Sequence, residues 1–382
     1  MSEHRVVIAG GGVAAHGAAV GLRQGGFDGD VVIIGRESHP SYERPYLSKR
    51  YLLRDLPRER LFLPRVEAEL RLGQEVVEIQ PDAHAVRTSA GEPLPYWRLL
   101  MVTGGRSRRL AGLDDAIYLR ELDDADHLLT VLDQDGGAAL EIVGAGFIGC
   151  EVAAVARIRG LAVTVYEALD QPLLRVLGPE LGEWLAGVHR GRGVDLRTGA
   201  RELPALGKDV LIAVGMQPNV ELAQAAGIRC DGGVLVDEFG RTDAPDVYAA
   251  GDCSRFWNPL FEAAVRVEHY NTALRHGNAV GRSIAGDGKP FAEVPWFWSD
   301  QYDLNFQYVG AELSWDETVV RGRFGTPPFT VFFLDAGRLV GALGVGDGRT
   351  IGQARRLLEG RTPVTRDQLA DEGVDLKALT RR

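Results

Sequence analysis

The stretch "RVVIAGGGVAAHGAAVGLRQGGFDGDVVIIG", residues 5–35, decides the fold. It opens on an unbroken apolar run, Val6 to Ala9. A run without polar alternation predicts a strand buried on both faces of a parallel sheet. Gly10, Gly12 and Ala15 then occupy the three positions of G-x-G-x-x-G/A. The first makes the turn, the second lets a diphosphate approach the backbone, and the third lets helix and strand pack closely. The Ala- and Gly-rich segment that follows reads as a close-packed helix, whose N-terminal amides and dipole suit a diphosphate. "DVVIIG" reads as the next strand. Glycine turns also arise for structural reasons alone, but here strand, turn, helix and strand fall in the order of a dinucleotide-binding unit.

The pattern repeats in "AALEIVGAGFIGCEVAAVARIRGLAVTVYEA", residues 138–168. Leu140 to Val143 form the strand, Gly144, Gly146 and Gly149 the turn, and a helix runs to about Arg159. Glu167 ends the next strand, 23 residues after Gly144, where a carboxylate suits the ribose hydroxyls of NAD. It would repel the 2′-phosphate of NADP, and the neighbours Ala168 and Leu169 offer no compensating arginine. NADH is therefore expected over NADPH. Two such units in one chain point to one flavin dinucleotide and one nicotinamide dinucleotide; two purely structural α/β repeats are the bland alternative.

The rest of the composition bounds the possibilities. The 382 residues are 45% hydrophobic and 25% charged, a globular composition with length for two or three domains. No run of 18 apolar residues predicts a membrane span, and "MSEHRVVIAGGG" enters a strand without a secretory apolar region. Cys150, Cys230 and Cys253 lie far apart in the sequence and make no disulfide framework or metal motif, so a reducing cytoplasm is expected. A net charge of −10 argues against generic nucleic-acid binding.

One stretch has no period of its own: "SYERPYLSK", residues 41–49. Pro45 disfavours helix at Arg44, so a bent loop is expected. Taken alone, Lys49 reads as an ordinary surface charge.

Seven stretches in order resemble the FAD-dependent NADH:ferredoxin reductases of oxygenase and P450 systems. This is the putidaredoxin and rubredoxin reductase group, to which apoptosis-inducing factor is related. They are "YERPYLSK", "VTGGRSRRL", "VGAGFIGCE", "VGMQPNVELA", "TDAPDVYAAGDC", "RVEHYNTALRHG" and "WFWSDQYDLNFQYVG". The resemblance spans nearly the whole chain. It implies an α/β fold with two Rossmann-like domains, for FAD and for NAD, plus a C-terminal α+β domain. The implied boundaries are 1–110 and 232–295 for FAD, 111–231 for NAD, and 296–382 for the C-terminal reductase domain.

The same resemblance assigns sites. FAD's diphosphate falls at Gly10, Gly12 and Ala15. Arg44 and Lys49 lie beside the flavin and its phosphates, and Pro45 lies against the ring. Thr103 and Gly104 mark the crossing between domains, and Asp252 bonds the ribityl chain. Lys49 pairs with Glu151 near the flavin N5, which turns the surface reading of Lys49 into a flavin-edge one; a buried lysine is costly unless paired. The helix beginning near Glu268 aims its positive end at the pyrimidine edge of the flavin. Trp298 lies beside the isoalloxazine, although packing with Trp296 and Phe297 is the plain alternative. Departures from the family are also visible. Arg36 stands where relatives often carry the adenosine-ribose acid, with Glu37 next as a substitute, and Tyr270 replaces a tryptophan. A shortening between "RTGARE" and "LPALGKDVLIAVG" removes a small β-meander from the NAD domain.

The implied reaction is hydride transfer from NADH to FAD, then single electrons to an iron–sulfur ferredoxin. No C-x-x-C or C-x-x-x-x-C exists, and residues 36–48 hold no cysteine, so an internal dithiol acceptor is not expected. Two other readings stay open: an oxidase passing electrons to oxygen, and a slow-turnover NADH sensor. Arg282, Lys289, Arg321 and Arg323 are candidate docking charges for an acidic ferredoxin.

Overall fold

Two parallel sheets grow from the two quoted stretches. In the computed structural model, which describes residues 4–91, 93–134, 139–311 and 314–380, the first strand is Arg5–Ala9. It lies at the middle of a five-stranded sheet ordered Val247–Ala249, Arg98–Met101, Arg5–Ala9, Asp30–Gly35, Glu69–Leu72, parallel throughout. Val6, Val7 and Ile8 are fully buried, as a strand covered on both faces must be. The second strand set, Val194–Arg197, Ala162–Tyr166, Ala139–Val143 and Val210–Ile212, is also all parallel. Among the described residues no strand lies between Arg197 and Val210.

Helix packing explains the glycines of the first unit. Helix Val13–Gln24 lies against helix Tyr270–Ile284 at backbone contact. A Cβ at Gly17 would sit 2.2 Å from the Leu274 carbonyl oxygen, and one at Gly277 would sit 2.1 Å from that of Ala14. Only glycine permits that approach from both sides. The second helix begins at Tyr270, two residues after Glu268, near which its start was expected.

"SYERPYLSK" is a correction. The expected loop contains a short 3₁₀ turn, Arg44–Ser48, with Pro45 in its first positions. Proline is pre-set for a first helical turn, where its missing N–H has no partner to lose. The signal that argued against helix at Arg44 was the signal of a helix start.

The C-terminal part forms an antiparallel sheet ordered Trp296–Gln301, Leu304–Gly310, Arg338–Val345, Phe329–Asp335, Glu317–Gly322. The long aromatic stretch folds back on itself, with Tyr302 at positive φ in the turn. Helix Gly348–Glu359 covers one face. Residues 312–313, at the end of one expected strand region, and 381–382, at the tail, lie outside the described residues. So do residues 1–3 and 138.

One apolar core crosses all three parts. It joins Tyr42, Leu47 and Leu61 of the first unit to Leu140, Val152 and Leu185 of the second, and to Phe306, Phe329 and Leu343 of the third. The chain returns to the first unit early: Ala223 and Ile228 pack with Val7, Val32 and Leu99. Strands Gly105–Ser107 and Met216–Pro218 pair antiparallel where the chain crosses between units.

Candidate functional site: a cleft between two glycine turns

A cleft of about 1120 Å³ opens between the two parallel sheets and reaches the first strand of the C-terminal sheet. Gly10, Gly12, Glu37, Arg44, Pro45, Lys49, Thr103, Gly104, Gly146, Glu151, Asp252, Glu268 and Trp298 all line it. Ala15, Gly144, Gly149 and Glu167 do not.

The glycine turns have the geometry of a diphosphate cradle. Gly10 has φ +127°, and a Cβ there would sit 2.2 Å from the Val102 carbonyl oxygen. Gly144 repeats this with φ +101° and the Ala213 carbonyl oxygen at 2.4 Å. The second glycines differ in kind. A Cβ at Gly12 would meet nothing within 4 Å, and one at Gly146 only the Ala213 oxygen at 3.9 Å. No protein atom requires glycine at either position, so the reason for it is the open space itself. A Cβ would intrude on that space, beside helix amides that have no intrahelical partner. The residues present fit two dinucleotides.

Lys49 and Glu151 meet in the cleft. The Lys49 Nζ lies 2.8 Å from Glu151 Oε2, with the two side chains 7% and 3% exposed. Nζ also donates to the Pro45 carbonyl at 3.1 Å. The pairing is what makes this burial tolerable, because breaking one partner of a buried pair costs about 3–5 kcal/mol. Glu151 accepts further bonds from the Ser48 hydroxyl and, at 2.6 Å, from the Ser299 hydroxyl.

Arg44 is spent on architecture as well as on the cleft. It pairs with Glu37 and donates to the Tyr42 hydroxyl at 2.9 Å and the Arg120 carbonyl at 2.8 Å. Tyr42 donates to the other oxygen of Glu37 at 2.5 Å, and burial pushes its phenol up. Glu37 thus lines the cleft with both oxygens already engaged. Ser41 reaches back to the Gly11 carbonyl at 2.8 Å and ties the 3₁₀ segment to the first turn. Thr103 and Asn219 exchange bonds at 2.8 Å each way and lock the two domain crossings together.

Glu167 sits at the end of its strand and accepts from the amides of Ala145 at 2.7 Å and Leu169 at 2.8 Å. It is bound to the second glycine turn, though outside the cleft wall. Trp298 stands edge-on to Tyr46 at 6.5 Å and lies 5.9 Å from Trp296, on the face that strand alternation predicts. Glu268 pairs with Arg266 just before the helix Tyr270–Ile284.

Sequence reading missed Arg120. Its guanidinium bonds Asp252 at 2.9 Å and the Gly105 carbonyl at 3.1 Å, in the cleft. Its only sequence signal is its place just before a capping box formed by Glu121 and Asp124. Ser48, Ser299 and Asn271 were also missed; the Nδ2 of Asn271, a cleft residue, is buried with no protein partner. No cysteine lines the cleft. Burial pushes the thiols of Cys150 and Cys253 up, which leaves them unreactive. Of the candidate docking charges, Arg321 is committed elsewhere: it donates to the carbonyls of Leu369, Asp371, Glu372 and Val374. Arg282 pairs with Asp287.

Two parallel-sheet units, each with a glycine turn opening a helix, face one cleft, the arrangement that binding two dinucleotides needs. The family model for pyridine nucleotide-disulphide oxidoreductases matches residues 4–203 and 205–277, and that for the reductase C-terminal domain matches 296–380. The ferredoxin reductase subunit of a 5,5'-dehydrodivanillate O-demethylase from Sphingobium sp. (strain NBRC 103272 / SYK-6) is 38% identical, covering 100% of this chain and 99% of that protein. Putidaredoxin reductase of Pseudomonas putida is 34% identical over 99% of this chain and 97% of its own. The crystal structure of the covalent putidaredoxin reductase–putidaredoxin complex superposes with a TM-score of 0.93 at 32% identity, covering 99% and 98% of the two chains. The chain belongs to the family of FAD-dependent NADH:ferredoxin reductases of oxygenase and P450 systems.

Proposed function

We propose that this protein takes reducing equivalents from NADH and delivers them one at a time to an iron–sulfur ferredoxin that serves an oxygenase or a P450. The observation that carries the reading is the buried Lys49–Glu151 pair in a cleft shared by both glycine turns. FAD, when bound, supplies the exchange between two-electron and one-electron chemistry. The chain's own residues do the rest. Gly10 and Gly12 would hold the flavin dinucleotide's diphosphate and Gly146 that of NADH, with Gly144 making its turn and Ala15 and Gly149 letting each helix pack closely. Asp252, steadied by Arg120, would accept from a ribityl hydroxyl, and Pro45 and Trp298 would lie beside the ring. Thr103 and Gly104 shape the floor between the units. Arg44 orients the adenosine side together with Glu37. The helix after Glu268 directs its positive end at the ring. Glu167 accepts from the nicotinamide dinucleotide's ribose; its two backbone bonds leave lone pairs for this.

The Lys49 ammonium places a fixed positive charge where negative charge grows as the cofactor is reduced, and Glu151 holds it there. We place the FAD-binding unit at about 1–110 and 219–295, the NAD-binding unit between them, and the C-terminal domain from 296. The second crossing moves from the expected 231 to about 219 because Ala223 and Ile228 pack with the first sheet. We place the protein in the cytoplasm; among the described residues no helix is long and apolar enough to cross a membrane.

An anaerobic experiment tests the reading. The protein is reduced with NADH, ferredoxin is added, and flavin absorbance is followed. Rapid reoxidation by ferredoxin is expected. No reoxidation by ferredoxin but rapid reoxidation once air is admitted would make the protein an oxidase, and a long-lived reduced complex with NADH-dependent dimerisation would make it a sensor.

A further inference from the structure

Glu151 is the end of a buried chain of donors that starts at the surface on another domain. Its members come from two parts of the molecule, the second unit and the C-terminal sheet. Ser299 and Gln301 are on the first C-terminal strand, His189 is on helix Leu174–Gly191, and Glu151 is on helix Phe147–Ile158. Ser299 and Gln301 are fully buried and His189 is 2% exposed.

The direction of the chain follows from what each atom can do. The amide nitrogen of Gln301 donates to the Ser299 hydroxyl oxygen at 3.2 Å. A serine hydroxyl has one proton to give, and that of Ser299 goes to Glu151 Oε1 at 2.6 Å. The Gln301 amide oxygen can only accept, so His189 Nε2, 2.9 Å away, carries a proton. Burial lowers the His189 pKa, which keeps the ring neutral. Its Nδ1 therefore accepts from the Tyr302 hydroxyl at 3.1 Å. That phenol is pushed up to about 12 by burial and retains its proton. Every donor points inward, from Tyr302 through His189, Gln301 and Ser299 to Glu151. Ser48 donates to the other carboxylate oxygen from the first unit.

We propose that Ser299 and Ser48 are positioning residues that hold Glu151 as the anion facing Lys49, and that Gln301 and His189 fix the direction of Ser299's donation. This rests on reading the Lys49–Glu151 pair as the machinery at the flavin edge. A proton on Oε1 of Glu151 would leave the buried Ser299 hydroxyl without its acceptor, because its oxygen already receives Gln301. On Oε2 the Ser48 hydroxyl and the Lys49 ammonium already donate, so the donors aimed at both oxygens favour the carboxylate. The other groups around Glu151 do not compete: Lys49 is its cation, and the adjacent Cys150 thiol stays neutral, since burial pushes it up. The C-terminal domain contributes to the flavin edge through this hydroxyl as well as through Trp298.

The test uses oxidised holoenzyme of Ser299→Ala and Ser48→Ala, with Ser299→Thr as the conservative control. Infrared spectra report whether a buried carboxyl is protonated. Each alanine variant is expected to gain the carbonyl band of a protonated carboxyl as pH is lowered. The band should be absent from wild type and Ser299→Thr, and from the alanine variants once Glu151→Gln is added. Flavin reduction by NADH in the alanine variants should fall severalfold more than in wild type as pH is lowered. Pre-steady-state rates that run parallel to wild type at every pH, with no new carboxyl band, would overturn the proposal and leave Ser299 as packing. Should Ser299→Ala fail to fold, Ser48→Ala carries the same test from the opposite side. The infrared band does not depend on NADH being the reductant, so it separates a failure of this inference from a failure of the proposed reaction.

Discussion

The two glycine turns are built alike at their first position and differently at their third, and the difference shows what each unit is held against. Gly10 and Gly144 both adopt positive φ beneath a carbonyl oxygen of the neighbouring strand's end. At the third position the first turn has Ala15 and the second has Gly149, where a Cβ would sit 2.0 Å from the Gly144 carbonyl oxygen. The second unit closes tightly on itself. In the first unit the tight approach is displaced onward to Gly17 and Gly21, which receive a second helix instead of their own strand. The acids after the second strands differ in the same way. Glu37 is held by Arg44 and Tyr42 from a separate segment, whereas Glu167 is held by amides of its own unit. The first unit's helix and acid are held by distant pieces of chain, and the second unit's by its own turn and backbone amides.

Identical substitutions should therefore have unlike consequences. The largest effect is expected from Gly10→Ala and Gly144→Ala, each forcing a Cβ into a carbonyl at strained φ, roughly 3 kcal/mol or more. Gly10→Ala should purify without flavin. Gly144→Ala should keep flavin and lose NADH binding. Flavin absorbance and an NADH titration of both variants check this, and loss of flavin from both would erase the distinction.

Next in size are Lys49→Met and Glu151→Ala, which span the two units. Each should slow flavin reduction by roughly tenfold to a hundredfold, ~1.4 to 3 kcal/mol, with flavin still bound. The double variant should be little worse than either single one, since the residues act as a pair. Additive losses in stopped-flow rates would mean the pair is not a unit.

Glu167→Ala probes the second unit alone. The preference for NADH over NADPH should shrink about tenfold, mostly through affinity, with the rate at saturation kept. Equal use of both nucleotides by the wild type would remove the role given to Glu167.

The smallest difference concerns neither turn. Trp298→Ala should slow ferredoxin reduction several-fold while slowing reduction by NADH less, and ferredoxin turnover should weaken as salt rises. An unaltered ferredoxin half-reaction would reduce Trp298 to packing, and salt-independent turnover would remove charge-guided docking.

What could be read beforehand follows the same division. Val6–Ala9, Leu140–Val143 and the glycine positions were legible because strand, turn and helix are local and periodic. The pairing of Lys49 with Glu151 came from family resemblance, since 102 positions separate them and no period links them. Arg120 escaped because its partners, Asp252 and the Gly105 carbonyl, meet it only after three segments converge. The 3₁₀ turn at Arg44–Ser48 was misread because one proline serves both as a breaker and as a starter. Arg321 looked like a free charge because backbone carbonyls leave no mark in a sequence.

The most direct test of the division of labour is the electron density of the oxidised holoenzyme crystallised with NAD⁺. The account predicts FAD's diphosphate at Gly10–Gly12 with its ring beside Lys49 and Glu151, and NAD⁺'s diphosphate at Gly144–Gly146 with its ribose on Glu167. A flavin ring away from Lys49, or the two dinucleotides in exchanged places, would contradict it.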